Sequence, residues 1–338
     1  MVEATDSRVD ALAADLGPLA QRAVPLGPLT TYGVGGPAAL MVTVEEPDDL
    51  AAVRRALKGS ELPTFVIGRG SNLLVSDAGF AGVVVRLGQG FNRATWPNRT
   101  DRTDRTDRID RGDGEGPLVV RAGAALPLPV LARQAADAGW AGLTWAVGVP
   151  GSVGGAVRMN AGGHGSDMAA CLVRYSWVDL IGDEEGADGV SRLAYGYRSS
   201  SVRRSEVVVE AEFAVIPGQV EVEKAALSEI VAWRRQHQPG GSNAGSVFTN
   251  PPDDSAGRLI EEAGLKGYRL GTAHVSEKHA NFIQADKGGR AADVRALMEH
   301  VARVVHERSG VMLRAEVRLL GFTGEETGAM VGAGGEEQ

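Results

Sequence analysis

A chain of 338 residues is longer than one compact core usually organises, so two or three subdomains are expected. The formal net charge of -8 at pH 7 argues against a dedicated nucleic-acid surface, which needs clustered Lys and Arg. The 6 histidines fall at no zinc-binding spacing and the 1 cysteine has no internal partner, so neither a metal centre nor a disulfide is predicted.

The chain shows no basic-then-apolar leader and no apolar run long enough for a bilayer. We therefore expect a cytoplasmic protein without membrane insertion, and a monomer. Cys171 is expected to be a small buried apolar residue.

Apolar periodicity predicts a first series of elements in β-α-β order. They are a flexible or loosely helical segment over 1–18, a strand over 40–44, a helix over 47–57, strands over 64–67, 82–87 and 118–121, and a helix over 126–138. This alternation indicates an α/β or α+β fold.

In the second series, strands predominate before Pro217 and helices after it, which predicts a domain boundary there. Before it come strands over 173–181, 193–197 and 207–215; after it come helices over 222–235, 255–263 and 291–308 and strands over 281–285 and 311–320. Between the third and fourth strands of the first series, the Thr-Asp-Arg repeat of segment 97–117 cannot bury a face, so a solvated loop is predicted.

Two glycine clusters follow apolar segments. In "VIGRGSNLLVSD", a buried strand leads into Gly68, Gly70, Ser71 and Asn72, whose backbone N–H groups suit phosphate oxygens. The stretch lacks Gly-Lys-Ser/Thr and has Leu73 at the third glycine position of G-x-G-x-x-G, and a plain tight turn remains an alternative.

The second cluster is "VGVPGSVGGAVRMNAGGHG", residues 147–165. Two such loops in one α/β half indicate a dinucleotide whose pyrophosphate is held by backbone. Asn72 and Asn160 are then amide partners of the ligand, or caps of their own turns.

Eight segments occur in an order that carries a resemblance. They are "TTYGVGGPA" (30–38), "GRGSNLL" (68–74), "PGSVGGAVRMNAG" (150–162), "GYRSS" (196–200), "AGSVFTNP" (244–251), "AGLKG" (263–267), "KHANFI" (278–283) and "RAEVRLLG" (314–321). Together they resemble the MurB family of UDP-N-acetylenolpyruvoylglucosamine reductases, from about Leu26 to Gly321.

The resemblance implies an α+β protein: a two-subdomain FAD-binding region of the vanillyl-alcohol-oxidase/MurB type over 19–217, followed by an α+β substrate-binding domain over 218–322 and a disordered tail over 323–338. It implies NADPH-dependent, FAD-mediated reduction of UDP-N-acetylglucosamine enolpyruvate to UDP-N-acetylmuramate in peptidoglycan precursor synthesis. In the reaction that the resemblance implies, hydride passes from flavin N5 to substrate C3, and a proton passes to C2.

The resemblance also implies which residues form the site. Those expected to bind FAD are Tyr32, Gly68, Arg69, Gly70, Ser71, Asn72, Leu73, Gly123, Gly148, Pro150, Gly151, Ser152, Val153, Gly154, Asn160 and Gly162. Those expected to bind substrate are Tyr197, Asn250, Lys266 and His279. A surface position for Lys266 and a helix-end or core position for His279 are the alternatives.

Three residues match the family's catalytic positions. Arg198 and Glu316 match the pair that polarises the substrate carboxylate and stabilises the enol-like intermediate, and Ser246 matches the proton donor. Taken alone, Arg198 reads equally as an exposed turn cation, Glu316 as part of a solvated strand face and Ser246 as the donor of a local turn hydrogen bond.

The chain departs from the family pattern at three places. His237 stands near where some members carry a phosphate-binding lysine, and Gly163-His164 stands where many have Ala-Tyr. The strand ending near Val215 passes quickly into the next helix, which predicts the subclass without a substrate-covering tyrosine loop. A flavin oxidase using oxygen and a flavin-bound sensor without turnover are the alternative functions.

Overall fold

The computed structural model of the chain describes residues 7–98 and 117–322. Its α-helices are α1 Ser7–Leu16, α2 Pro47–Leu57, α3 Leu128–Asp137, α4 Val153–Met159, α5 Met168–Cys171, α6 Val220–His237, α7 Ala256–Glu262 and α8 Ala291–Ser309. The Thr-Asp-Arg repeat after Asn98 and the tail over 323–338 lie outside the described residues. Within the described ranges, no helix combines the length and apolarity that a bilayer span needs.

The strands are β1 Ala20–Pro25, β2 Pro37–Val44, β3 Thr64–Ile67, β4 Leu73–Val75, β5 Phe80–Leu87, β6 Ala94–Thr95, β7 Val119–Gly123, β8 Trp140–Ala141, β9 Gly162–Gly163, β10 Ser166–Asp167, β11 Leu172–Asp179, β12 Glu185–Gly189, β13 Glu206–Ala214, β14 Ile216–Pro217, β15 Arg269–Leu270, β16 Ala273–Val275, β17 Ile283–Ala285 and β18 Arg318–Leu320. This mixture of helices and strands is the predicted α+β class.

The chain forms two compact units that are discontinuous in sequence. The first comprises residues 1–21, 41–69 and 82–234, and the second comprises residues 22–40, 70–81 and 235–338. The predicted division was contiguous, with its boundary near Pro217. The first unit continues past Pro217 because helix α6 packs Leu227, Ile230 and Val231 against its core.

The first unit is built on an antiparallel sheet of order β12-β11-β13-β7-β6. Helix α4 packs on β13 and β7 of this sheet, and Leu131 of α3 joins Val157, Tyr175 and Phe213 in the same hydrophobic core. In the same unit β3 and β5 run parallel within a sheet of order β1-β2-β5-β3.

In the second unit α8 packs on the sheet β15-β16-β17, and α7 packs against α8. Its core takes Leu297 and Val301 from α8, and also Tyr32, Val34 and Leu74 from the two early segments. Strand β18 runs parallel to β4, with Leu319 opposite Leu74.

Most predicted elements are observed within two or three residues of their expected bounds, and three differ. Residues predicted as loosely helical form α1, whose Val9, Leu12 and Leu16 are buried. The predicted strand over 193–197 is absent, because the edge strand there is β12 and the chain then forms a turn of 3-10 helix, Val190–Leu193. Only Arg318–Leu320 of the predicted strand 311–320 pairs as a strand, because its parallel partner β4 is 3 residues long.

Candidate functional site

Ser246 lies in a half-buried loop of the second unit that is fastened on both sides by its neighbours. Val247 donates its amide to the Asn281 carbonyl at 2.9 Å, and its own carbonyl accepts the Glu316 amide at 2.8 Å. No hydrogen-bond partner for Ser246 Oγ is found in the described part of the chain. The local turn bond considered for this serine is therefore not formed, and the hydroxyl is available to a ligand.

Asn281 holds this loop and was not singled out by the sequence, although the motif "KHANFI" contains it. The side chain is buried and works as a two-point clamp: Nδ2 donates to the Phe248 carbonyl at 2.8 Å, and Oδ1 accepts the Phe248 amide at 3.0 Å. Such pairing mimics a strand partner, so the two residues before Phe248 have little freedom.

Glu316 is brought beside the same loop by the pairing of β18 with β4. Asn72, immediately before β4, donates from Nδ2 to the Glu316 carbonyl at 3.0 Å and accepts the Arg318 amide on its own carbonyl at 3.0 Å. The second unit therefore unites three predicted site residues, Ser246, Glu316 and Asn72. The Glu316 side chain is half-buried, whereas Arg314 and Arg318, two positions away on either side, are exposed.

The loop before β4 has the features of an anion-binding backbone. Gly70 adopts φ +60°, and a Cβ there would lie 2.3 Å from the Leu29 carbonyl oxygen, so glycine is required. Within the described residues no acceptor is found for the amides of Gly70, Ser71 and Asn72. Successive free amides of this kind form a nest for phosphate oxygens.

Tyr32 lies in the second unit and is fully buried. Its hydroxyl meets no hydrogen-bond partner among the described residues, and burial raises its pKa, so it remains protonated. A buried unpaired hydroxyl is costly and is commonly explained by a bound group. The buried Tyr32 hydroxyl and the free amides of the loop before β4 fit a dinucleotide cofactor.

In the first unit, the other side of the glycine loop approaches the second glycine cluster. A Cβ on Gly68 would lie 2.5 Å from Ser152 Oγ, and Arg69 donates from Nε to the Pro150 carbonyl at 3.1 Å. Glycine at position 68 therefore permits the close approach, and Arg69 holds the two clusters together.

The second cluster uses some of its predicted phosphate donors internally. The amides of Val153 and Gly154, at the start of α4, donate to the carbonyls of Leu126 and Ala124 at 2.9 Å each. In the described residues the amides of Gly151 and Ser152 have no such acceptor. Any backbone contact to an anion at this helix start is thus expected from Gly151 and Ser152.

Several predicted cofactor glycines are explained by packing. A Cβ on Gly123 would lie 2.1 Å from the Phe91 carbonyl oxygen, and one on Gly162 would lie 2.5 Å from Asp167 Cβ. At Gly148 a Cβ would lie 2.6 Å from His164 Cδ2, and His164 in turn packs edge-on to Trp233 at 5.2 Å. Burial and the nearby Arg234 lower the pKa of His164, so this ring is neutral near pH 7.

Arg198 sits in the first unit at the tip of a tight turn closed by reciprocal backbone bonds between Gly196 and Ser199. Its backbone has φ +55°, an uncommon conformation for a residue with a side chain. The guanidinium donates from Nη2 to the Gly162 carbonyl at 2.9 Å, beyond the C-terminal end of α4. Arg198 is therefore a half-buried, oriented cation and not an exposed turn residue.

Tyr197 and Asn160 flank this arginine. Tyr197 is 61% exposed, and its ring centre lies 5.3 Å from the Arg198 guanidinium carbon. Asn160 is buried, caps α4 with φ +42°, donates from Nδ2 to the Gly196 carbonyl and accepts the Ala169 amide. The structural alternative for Asn160, a turn cap, is thus observed.

The other predicted substrate residues lie in the second unit: Asn250 before α7, Lys266 after the end of α7, and His279 in the turn after β16. Asn250 is exposed and accepts the Ala256 amide at 3.1 Å, while Lys266 pairs with Glu261 at 3.0 Å. His279 is half-buried, and burial together with nearby Lys266 lowers its pKa. His237 ends α6 in an exposed position.

Comparison with known proteins identifies relatives along nearly the whole chain. The model of the FAD binding domain family matches residues 38–183, and that of the UDP-N-acetylenolpyruvoylglucosamine reductase C-terminal domain matches residues 236–320. The reductase of Heliobacterium modesticaldum is 41% identical over 93% of each chain, and that of Syntrophus aciditrophicus is 39% identical over 89% of this chain and 91% of its own.

A solved structure is also similar. The UDP-N-acetylenolpyruvylglucosamine reductase (MurB) of Thermus caldophilus superimposes with a TM-score of 0.71 at 34% identity, covering 89% of this chain and 98% of its own. These matches confirm the predicted domain order, in which an FAD-binding domain is followed by a MurB-type C-terminal domain.

Proposed function

The chain belongs to the UDP-N-acetylenolpyruvoylglucosamine reductase (MurB) family, and from this membership we propose that it reduces UDP-N-acetylglucosamine enolpyruvate to UDP-N-acetylmuramate, with NADPH as the reductant. It is a flavin-dependent oxidoreductase with FAD as its cofactor. The product is a precursor of peptidoglycan. A flavin oxidase or a flavin sensor leaves the C-terminal family match over residues 236–320 unexplained.

FAD binding is assigned to the region 19–217, which includes the loop before β4, and substrate binding to the region 218–322. The free amides of Gly70, Ser71 and Asn72 and the buried Tyr32 hydroxyl support the first assignment. When bound, FAD supplies the transfer of a hydride from NADPH, through flavin N5, to C3 of the enolpyruvyl group.

Ser246 gives a proton to C2 of the substrate. The observation that carries this role is its hydroxyl, which has no partner among the described residues although the loop around it is held by Asn281 and Glu316. An alcohol is a weak acid near pH 7, but the carbon that it protonates becomes strongly basic as hydride arrives. Fixed placement therefore matters more than the acidity of the donor.

Arg198 and Glu316 act on the carboxylate end of the same group. Arg198 offers an oriented cation to the negative charge that develops at C2 and on the carboxylate. Glu316, anchored through its backbone to Asn72 and Val247, shares the stabilisation of the enol-like state. Substrate binding is assigned to Tyr197, Asn250, Lys266 and His279.

An anaerobic two-step assay tests the function. The purified yellow protein is bleached with NADPH, and UDP-N-acetylglucosamine enolpyruvate is then added. We expect the oxidised flavin spectrum to return with formation of UDP-N-acetylmuramate. Bleaching that this substrate does not reverse contradicts the reductase assignment.

Ser246→Ala tests the proton donor. The variant is expected to be bleached by NADPH at the wild-type rate and to lose overall turnover by about 10³-fold or more, because only the protonation step is affected. Ser242→Ala, in the same loop, is the matched control and should retain activity. Near-normal turnover of Ser246→Ala refutes the assignment.

A further inference from the structure

The turn that carries Arg198 is fastened on both sides to the last turn of helix α4. On one side Tyr195 Oη donates to the Val157 carbonyl at 2.8 Å, and on the other Ser200 Oγ donates to the Arg158 carbonyl at 2.6 Å. Val157 and Arg158 are consecutive, so the two bonds grip neighbouring carbonyls at one helix end.

Both carbonyls lie in the last turn of α4, and the Val157 carbonyl also accepts the Asn160 amide at 3.4 Å. The last four C=O groups of an α-helix have no partner within the helix, and side-chain donors commonly cap them. Helix α4 ends at Met159, where Asn160 takes the left-handed conformation and its side chain binds the Gly196 carbonyl at the foot of the turn. The bond from Asn160 is thus a third contact between the α4 end and the segment 195–200.

The turn needs this support because Arg198 is held in an unfavourable backbone conformation. A non-glycine residue in the left-handed region persists when its surroundings over-determine it. The side chain of Arg198 reaches the Gly162 carbonyl and the Asn160 carbonyl just beyond α4, at 2.9 and 3.5 Å. The end of α4 therefore fixes both the backbone turn that carries Arg198 and the position of its guanidinium.

We propose that Ser200 and Tyr195 are positioning residues for Arg198, which set the direction of its guanidinium by hydrogen bonding to the C-terminal carbonyls of α4. The inference rests on the proposed function, because it assumes that Arg198 acts on the substrate carboxylate. Neither residue touches the reacting atoms; each acts through the arginine. Burial raises the pKa of Tyr195, so its hydroxyl stays protonated and remains a donor.

Ser200→Ala in the FAD-loaded enzyme is the direct test. Reoxidation of the reduced flavin by the enolpyruvyl substrate should slow about tenfold, because the cation loses its alignment. Bleaching by NADPH and flavin content should not change. Ser200→Thr, which keeps the hydroxyl, should restore most of the rate.

Ser201→Ala is the matched control. Ser201 is the neighbouring serine, and its hydroxyl donates to the Arg192 carbonyl, which does not belong to α4. Its rate of reoxidation should equal that of the wild type. An equal defect in both variants assigns the effect to general loosening of the loop and overturns the proposal.

A double-mutant cycle shows whether Ser200 acts through Arg198. The tenfold effect should shrink to less than about twofold in an Arg198→Ala background, since there is no guanidinium left to orient. An undiminished effect there refutes the positioning role. If Arg198→Ala alone leaves reoxidation unchanged, the proposed catalytic role of Arg198 fails, which is a separate result.

Amide hydrogen exchange gives a readout independent of turnover. The Ser199 amide, bonded to the Gly196 carbonyl, should exchange faster in Ser200→Ala and remain protected in Ser201→Ala. If Ser200→Ala does not fold, Tyr195→Phe carries the same test with no change of shape beyond one hydroxyl. Wild-type exchange and wild-type reoxidation in Tyr195→Phe and Ser200→Ala overturn the proposal.

Discussion

At the scale of single residues, the buried side-chain amide of Asn281 holds the loop of Ser246 in place through two hydrogen bonds to the Phe248 backbone. Asn281→Ala is expected to lower the free energy of unfolding by about 2 kcal/mol, because it leaves the buried amide and carbonyl of Phe248 without partners. Urea unfolding measures the loss. Gln284→Ala, which removes an exposed side-chain amide from the nearby strand β17, is the control and should change stability far less.

A second residue-scale prediction concerns Glu206, whose side chain is 0% exposed. Burial by itself raises the pKa of this carboxyl, but hydrogen bonds from Arg192 and from the backbone and guanidinium of Arg203 outweigh burial, so the pKa lies below its ordinary value. A depressed pKa means that the ionised form stabilises the fold. That contribution is complete above the ordinary glutamate pKa and is lost as pH falls through the lower folded value.

The measurement is the free energy of unfolding from about pH 7 down to about pH 3 in the wild type and in Glu206→Gln. We expect the variant to be about 2 kcal/mol less stable near neutral pH and to show a flatter acid limb. Glu184→Gln is the control, since Glu184 binds the same Arg203 but is 66% exposed. Parallel acid limbs in wild type and Glu206→Gln would contradict the linkage.

At the scale of elements, helix α8 is capped from a distant part of the chain. Arg290 occupies the N-cap position without a capping side-chain bond, and Asp77 instead accepts the amides of Ala291 and Ala292 at 2.8 and 2.9 Å. Asp77→Ala is expected to cost about 1 kcal/mol of stability in chemical denaturation. Arg290→Ala should stay within about 0.5 kcal/mol of wild type, and an equal loss in both variants would remove the capping explanation.

Elements with local signals were predicted well. Helix α2 has the predicted bounds because Pro47 opens it and Glu46 with Asp49 forms a capping box. The prediction of a strand over 193–197 was wrong because its large side chains make other contacts. Leu193 is buried in the core, and the Tyr195 hydroxyl donates to the Val157 carbonyl of α4. Periodicity detects apolar side chains but not whether the backbone around them has a strand partner.

At the scale of the whole molecule, the two units are interleaved along the chain. We expect residues 235–322 expressed alone to show no cooperative thermal transition in circular dichroism, because β18 loses β4 and the core loses Tyr32, Val34 and Leu74. The full chain is the control. A cooperative, native-like transition of the fragment would show that the early segments are dispensable for this unit.

By itself, the sequence determined the α+β class, most helices and strands, the family and the identity of the candidate catalytic residues, since these depend on local periodicity and ordered motifs. Only the tertiary structure decided that Gly70 to Asn72 belong with Glu316 and Ser246, because a parallel strand pair joins residues more than two hundred positions apart. It also decided that the Val153 and Gly154 amides donate to carbonyls of the protein itself. The hydrogen bond from Arg198 to the Gly162 carbonyl, which anchors this cation, was likewise visible only in the structure. The physical reason is that hydrogen-bond partners and close backbone approaches are set by which distant segments pack together.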